Sequence, residues 1–170
     1  MDFSEEDRSF MGIAIKEAEI SFHEGGFPVG AVLVVDGKLV GKERNSIRSD
    51  KDWISHAEMK LLSKYSSFIK ECVKNKNSIV TVYTSLEPCL MCFGASALNR
   101  ISRIVYACPD PFTGATSIHL DALPVGYKRM WPQVSGGLMK EESYNLVVTC
   151  MQKQRTDKWN EALDLYKKIE

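Results

Sequence analysis

The run Ala31-Val32-Leu33-Val34-Val35, followed at once by Asp36-Gly37, constrains the fold of this chain more than any other stretch. Five successive apolar residues leave no polar face, so the strand they form suits a sheet covered on both sides. Asp-Gly is a tight-hairpin signal, because both central residues of such a turn need a positive φ. The chain therefore turns back, and residues 38–43 supply the returning strand. A sheet covered on both faces asks for helices above and below it.

The rest of the chain offers those helices. Ser4 can cap the first, with Asp7 three residues later as in a capping box. Phe10, Ile13, Ala14, Ala18, Ser21 and Phe22 recur at helical spacing, and Gly25-Gly26 ends the segment. A polar loop over 45–55 precedes a helix over 56–65, with Leu61 and Leu62 facing inward. Residues 79–84 read as a strand, 90–99 as a helix and 104–107 as another buried strand. Pro109, Pro111, Pro124 and Pro132 make 108–137 largely loop. Two C-terminal helices close the chain. In the last, Trp159, Ala162, Leu163, Tyr166 and Ile169 step by three and four, a core-packing stripe. This order predicts a three-layer α/β/α sandwich with a mixed sheet. At 170 residues it fits a single domain, 1–170.

Composition removes several classes of function. The formal net charge is zero, so no whole-chain positive balance points to nucleic acid, although a local basic patch could suffice. No apolar run reaches membrane-spanning length, and the acidic start, from Asp2 to Asp7, is unlike a signal or transit peptide. The expected location is the cytoplasm. Five cysteines are an odd number, which argues against a disulfide framework and for metal ligation or packing.

Two short motifs carry chemistry: His56-Ala57-Glu58 and Pro88-Cys89-Leu90-Met91-Cys92. Each is expected to open a helix. Cysteines three apart share a helix face and can reach one metal. The free amides and dipole of a first turn favour thiolate. Pro88 fits there because its missing N–H costs nothing at a helix start. Cys-x-x-Cys alone is equally a redox pair or half of a structural zinc site. His56 adds an imidazole. Three protein ligands leave zinc one open position for water, the catalytic pattern, and zinc brings that water's pKa toward about 7. Glu58, two residues from His56, points elsewhere on its helix and can shuttle the proton.

His-x-Glu followed by Pro-Cys-x-x-Cys is the signature of zinc nucleobase deaminases. With Phe27-Pro28-Val29-Gly30-Ala31 and the stretch 84–95 (Thr-Ser-Leu-Glu-Pro-Cys-Leu-Met-Cys-Phe-Gly-Ala), the chain resembles the cytidine deaminase superfamily. It looks closest to the branch of tRNA adenosine deaminases, guanine deaminases and cytosine deaminases. The resemblance implies a five-stranded sheet and a homodimer or larger oligomer. It implies Zn2+ on His56, Cys89 and Cys92, with Glu58 catalytic. It implies substrate contacts from Asn45, Val29, Asp110 and backbone groups near Ala57 and Glu87. Each contact has a plainer reading: Asn45 as a turn residue, Val29 as core, and Cys108-Pro109-Asp110-Pro111 as a rigid turn.

His23 and His119 lack motif partners and read as structural or surface residues. Cys72, Cys108 and Cys150 read as packing. Trp53 could be a pocket wall or an exposed loop aromatic; Phe112, Tyr127 and Trp131 are candidate lids or stackers. Thr113-Gly114-Ala115 is similar to tRNA adenosine deaminases. Where those enzymes usually carry Asn-His-Arg, this chain has Tyr127-Lys128-Arg129. The tail mixes Lys153, Arg155, Lys158, Lys167 and Lys168 with Asp157, Glu161, Asp164 and Glu170, not a clear phosphate-gripping surface. These departures favour a small-molecule base or nucleoside substrate, with tRNA as the alternative. A catalytically silent zinc-binding interaction module is a further alternative, against which the intact Glu58 speaks.

Overall fold

A computed structural model describes residues 3–74, 78–154 and 156–169. Met1, Asp2, Arg155 and Glu170, named above for their charge or terminal position, lie outside them, as does the side chain of Lys158. Helix α1, Glu5–His23, starts with the expected capping box: Ser4 Oγ accepts from Asp7 N at 3.0 Å, and Asp7 Oδ2 accepts from Ser4 N at 3.1 Å. Strand β1, Gly30–Val35, is buried along its whole length, and β2 is Lys38–Arg44. The Asp36-Gly37 turn has positive φ at both residues, as its sequence demands. Gly30 is required by packing: a Cβ there would collide with the carbonyl of Ala14 in α1.

The 45–55 loop contains one helical turn, α2 (Ile47–Asp50). Helix α3, Ala57–Lys74, runs nine residues past the expected end, because Ile69 continues its buried stripe. Strand β3 is Val80–Leu86, α4 is Leu90–Leu98 and β4 is Arg103–Cys108. The proline-bearing segment is less irregular than expected. It holds a 3-10 turn (Leu120–Ala122), helix α5 (Val125–Met130) and strand β5 (Gln133–Gly136). None of these short pieces has enough local periodicity to stand out. Helices α6 (Lys140–Gln154) and α7 (Asp157–Tyr166) follow.

The sheet order is β2-β1-β3-β4-β5, with β1 antiparallel to both neighbours and β3, β4 and β5 parallel. Alternate side chains of the strands feed two cores. Val32, Val34, Tyr83, Val105 and Ala107 meet Met11, Ala14 and Ile15 of α1. Ala31, Leu33, Val82 and Ile104 meet Leu61, Leu62 and Phe93 of α3 and α4. This is the expected three-layer α/β/α sandwich with a mixed five-stranded sheet. Among the described residues no helix is long and apolar enough to cross a membrane.

A buried triad ties the first helix to the sheet. Asp7 accepts from Tyr83 Oη at 2.6 Å and from Arg103 Nη1 at 2.7 Å. The hydrogen bonds from Arg103 hold its carboxyl well below the usual carboxylate range, and burial pushes the Tyr83 phenol above its own.

The topology also decides where a site can form. The carboxyl ends of β2, β3 and β4 and the amino end of β1 lie at one edge of the sheet. The starts of α3 and α4 follow at that edge, and ligand crevices of open α/β sheets form outside such strand ends.

Candidate metal centre and its cavity

His56 directly precedes α3, and Cys89 is the N-cap of α4 with extended backbone (φ −69°, ψ 170°). Cys92 lies in the first turn of α4, on the side that faces α3. His56 Nδ1 is 3.8 Å from Cys89 Sγ and 3.6 Å from Cys92 Sγ. All three donor atoms lie within 4.8 Å of one another. A tetrahedral zinc with ordinary Zn–S and Zn–N bonds needs its nitrogen and sulfur donors about 3.6 Å apart. The donor set and spacing therefore fit zinc. Hydrogen bonding from Cys92, and then from His56, pulls the Cys89 thiol down to about 4. The same pairing pushes Cys92 up, and contact with Cys89 raises His56. A divalent cation takes the place of the protons these groups share.

Glu58 is buried beside the donors. Its Oε1 accepts from Thr84 Oγ1 at 3.1 Å, and its Oε2 lies 3.6 Å from Cys92 Sγ. Burial raises its pKa, the direction that suits a carboxylate that takes up and releases a proton.

His56, Glu58 and Cys89 form the floor of a cavity of about 590 Å³, within the range that holds small ligands, and Cys92 is buried behind them. Val29, Asn45, Glu87 and Asp110 line it, and so do Trp53 and Phe112. Ala57 does not: it is fully buried in the core beneath. Asn45 follows β2, and its Oδ1 accepts from Ile47 N at 3.3 Å. Val29 serves both readings, as core residue and as wall.

Glu87 and Asp110 carry a structural duty that the sequence reading did not separate from binding. The Glu87 carboxylate accepts from Asp110 N at 2.9 Å, Thr116 N at 3.0 Å and Thr116 Oγ1 at 2.6 Å. Gly114 makes that clasp possible, since a Cβ there would strike the Glu87 carboxylate. Asp110 Oδ1 accepts from Phe112 N at 2.9 Å and from the buried Tyr166 of α7 at 3.1 Å; Oδ2 accepts from Thr113 Oγ1. The loop is thus the rigid turn its sequence suggests, and Asp110, expected as a substrate contact, lines the cavity.

The roof comes from places the motifs do not mark. Phe27 and Trp159 stack in parallel, 5.1 Å apart at 9°, and both line the cavity. Trp159 Nε1 donates to Gln154 Oε1 at 2.7 Å, and Gln154 and Met151 of α6 complete the wall. The helical stripe of α7 does pack the core through Ala162 and Tyr166, but its first aromatic also faces the cavity. Of the remaining candidates, Trp131 is an edge-on partner of Phe93, and Tyr127 lies in α5, off the cavity wall. His23 and His119 are exposed, while Cys108 and Cys150 are buried.

Three nitrogen and sulfur donors at zinc spacing, with a buried carboxylate at their side and a small-ligand cavity above, define the class: a zinc-dependent deaminase. Residues 4–108 match the cytidine and deoxycytidylate deaminase zinc-binding region, and the chain belongs to that family. Over 157 residues it is 32% identical to a tRNA-specific adenosine deaminase of Streptococcus pyogenes, covering 92% of this chain and 96% of the relative. A solved structure from work on A-to-I editing by tRNA:A34 deaminases at the wobble position aligns with a TM-score of 0.65 at 30% identity. It covers 81% of this chain and 98% of its own. A guanine deaminase from Nitrosomonas europaea shares the fold, with a TM-score of 0.69 at 19% identity over 84% of this chain and 83% of that one.

Proposed function

We propose that this chain deaminates adenosine in transfer RNA, giving inosine and ammonia. The observation that carries the chemistry is the Glu58 carboxylate, buried at 3.1 Å from Thr84 and facing the same cavity as the metal donors His56 and Cys89. The substrate assignment is supported by likeness to a tRNA-specific adenosine deaminase along 92% of the chain. It reverses the preference that charge balance and the 127–129 stretch suggested, because neither feature touches the cavity.

Zinc supplies Lewis acidity that brings the pKa of a water down toward about 7. Glu58 takes the proton of the attacking water, hands it to a ring nitrogen, and returns a proton to the departing amine. Thr84 fixes the rotamer of that carboxylate, so one group can serve each transfer without leaving its place. Val29 packs against the base. Asn45, its Oδ1 tied to Ile47 N, presents its amide to the nucleoside. The clasp of Glu87 holds the Asp110–Thr116 loop as a wall, and backbone groups near Glu87 orient the ring. One water is consumed: its oxygen stays as the ring carbonyl, and the C–NH2 bond breaks to release ammonia.

A second reading, a free base or nucleoside as substrate, has one observation in its favour. Phe27, Trp159 and Gln154 roof the cavity, which reduces the room for a polymer. Inosine formation in tRNA transcripts, set beside ammonia release from cytosine, guanine, adenine and their nucleosides, separates the two. Turnover of RNA alone supports the proposal. Turnover of a free base or nucleoside alone overturns it.

We further propose that the chain acts as a single cytoplasmic domain and pairs with a second copy. Leu90 and Leu98 of α4 are 65% and 57% exposed, and Gly94 between them leaves the surface open to a neighbour. Sedimentation of the purified protein tests the pairing.

A further inference from the structure

Trp53 is 84% exposed, and its neighbour Ile54 is 56% exposed. An indole is the side chain with most to gain from burial, so one held in water beside a binding cavity calls for a reason. Trp53 is not held out by slack backbone. Asp52 Oδ1 accepts from Ile54 N at 3.1 Å, Asp52 Oδ2 accepts from Ser55 Oγ at 3.1 Å, and Ser55 O accepts from Ser46 N at 3.0 Å. This turn holds the backbone that carries the indole at the cavity wall, three residues from the metal donor His56. The exposed Arg48 lines the same wall, with its guanidinium tethered to Gly25 O at 3.2 Å. The acidic neighbours are engaged: Asp50 Oδ2 accepts from Ser46 Oγ at 2.5 Å, and Asp52 serves the turn.

We infer that Trp53 and Arg48 form a subsite for the nucleotide adjoining the target adenosine in a single-stranded RNA loop, the base stacking on the indole and the phosphate meeting the guanidinium. This rests on the RNA reading above and names the part of the chain that would distinguish a polymer from a free nucleoside. A planar aromatic beside a cation is the pair that single-stranded nucleic acid uses, since every base has a face to stack and a phosphate to neutralise. The backbone under both residues is hydrogen-bonded in place, which lowers the ordering cost of binding.

The test compares wild type, Trp53→Ala, Trp53→Phe and Arg48→Ala, all zinc-loaded, on an RNA stem-loop with adenosine in its loop. The inference expects Trp53→Ala to raise KM for the RNA by about tenfold, in line with loss of one stacked base, with kcat nearly unchanged. Trp53→Phe restores most of the affinity. Arg48→Ala weakens binding and lowers the salt dependence by about one unit of slope. Zinc content and melting temperature stay at wild-type values, because an exposed indole contributes little to folding. If wild type turns over the RNA and Trp53→Ala does so with the same KM, the subsite is overturned while the RNA reading stands. If wild type turns over no RNA, the RNA reading falls and the subsite with it. An unchanged KM together with a lowered association state would assign Trp53 to a protein contact instead and also overturn the inference.

Discussion

The floor and the roof of the cavity are built in opposite ways. The floor comes from two helix starts, His56 and Glu58 at α3 and Cys89 at α4, backed by the buried Cys92 of α4, each within hydrogen-bonding reach of another. The roof draws Phe27, Asp110, Gln154 and Trp159 from segments spread over more than 100 residues of sequence. It is held by relayed contacts: Glu87 clasps the 110–116 loop, Asp110 accepts from Tyr166, and Trp159 stacks on Phe27. The floor fixes which bond is broken. The roof decides what can be brought to it, and it can vary without disturbing the donors.

Substitutions can break this contrast. The largest expected effect lies in the floor: Cys92→Ala removes one of three donors, so zinc content and turnover both vanish, as they do after chelation, while far-ultraviolet dichroism persists. Metal analysis and an ammonia assay check it. A substitution that lost activity but kept full zinc would dissolve the donor assignment.

Asp7→Asn serves as a control remote from both regions. It is expected to destabilise the chain by about 2 kcal/mol, somewhat under the usual range for a broken buried pair because Arg103 keeps partial access to water. Turnover is untouched. The folded carboxyl of Asp7 is held below its unfolded value, so its contribution is present above about pH 4 and is lost as pH falls further. The melting temperature of wild type should fall toward that of the variant in acid.

In the roof the effects are smaller and of another kind. Glu87→Gln keeps one acceptor for three donors and is expected to raise KM about tenfold with kcat within a few-fold, since the wall loosens while the floor stays. The smallest effect is Tyr166→Phe, which deletes one hydrogen bond to Asp110 and costs about 1 kcal/mol, read as a KM rise of a few-fold. A fall in kcat without a change in KM in either variant would erase the division of labour.

The same contrast explains what was legible in the sequence. The β1 run, the Asp36-Gly37 turn and the Ser4–Asp7 capping box are local, and the structure reproduces them within a residue or so. The metal donors were legible because three-residue spacing on a helix and a helix start are local geometry too. Strand β5 and helix α5 were not, because four and six residues carry too little periodicity among prolines. The roof was not legible either. Nothing near Trp159 says that its ring meets Phe27, and nothing near Asp110 says that Tyr166 reaches it. Those contacts exist only once α6 and α7 have folded back over the sheet edge.

The central claim is that Glu58 moves the protons of a hydrolytic deamination beside zinc held by His56, Cys89 and Cys92. Glu58→Gln, purified with zinc and assayed in single turnover beside wild type on the preferred substrate, tests it most directly. The account predicts unchanged zinc content and unchanged substrate affinity, with the chemical step slowed by about 10³-fold. A Glu58→Gln variant that bound zinc and deaminated at the wild-type rate would contradict it.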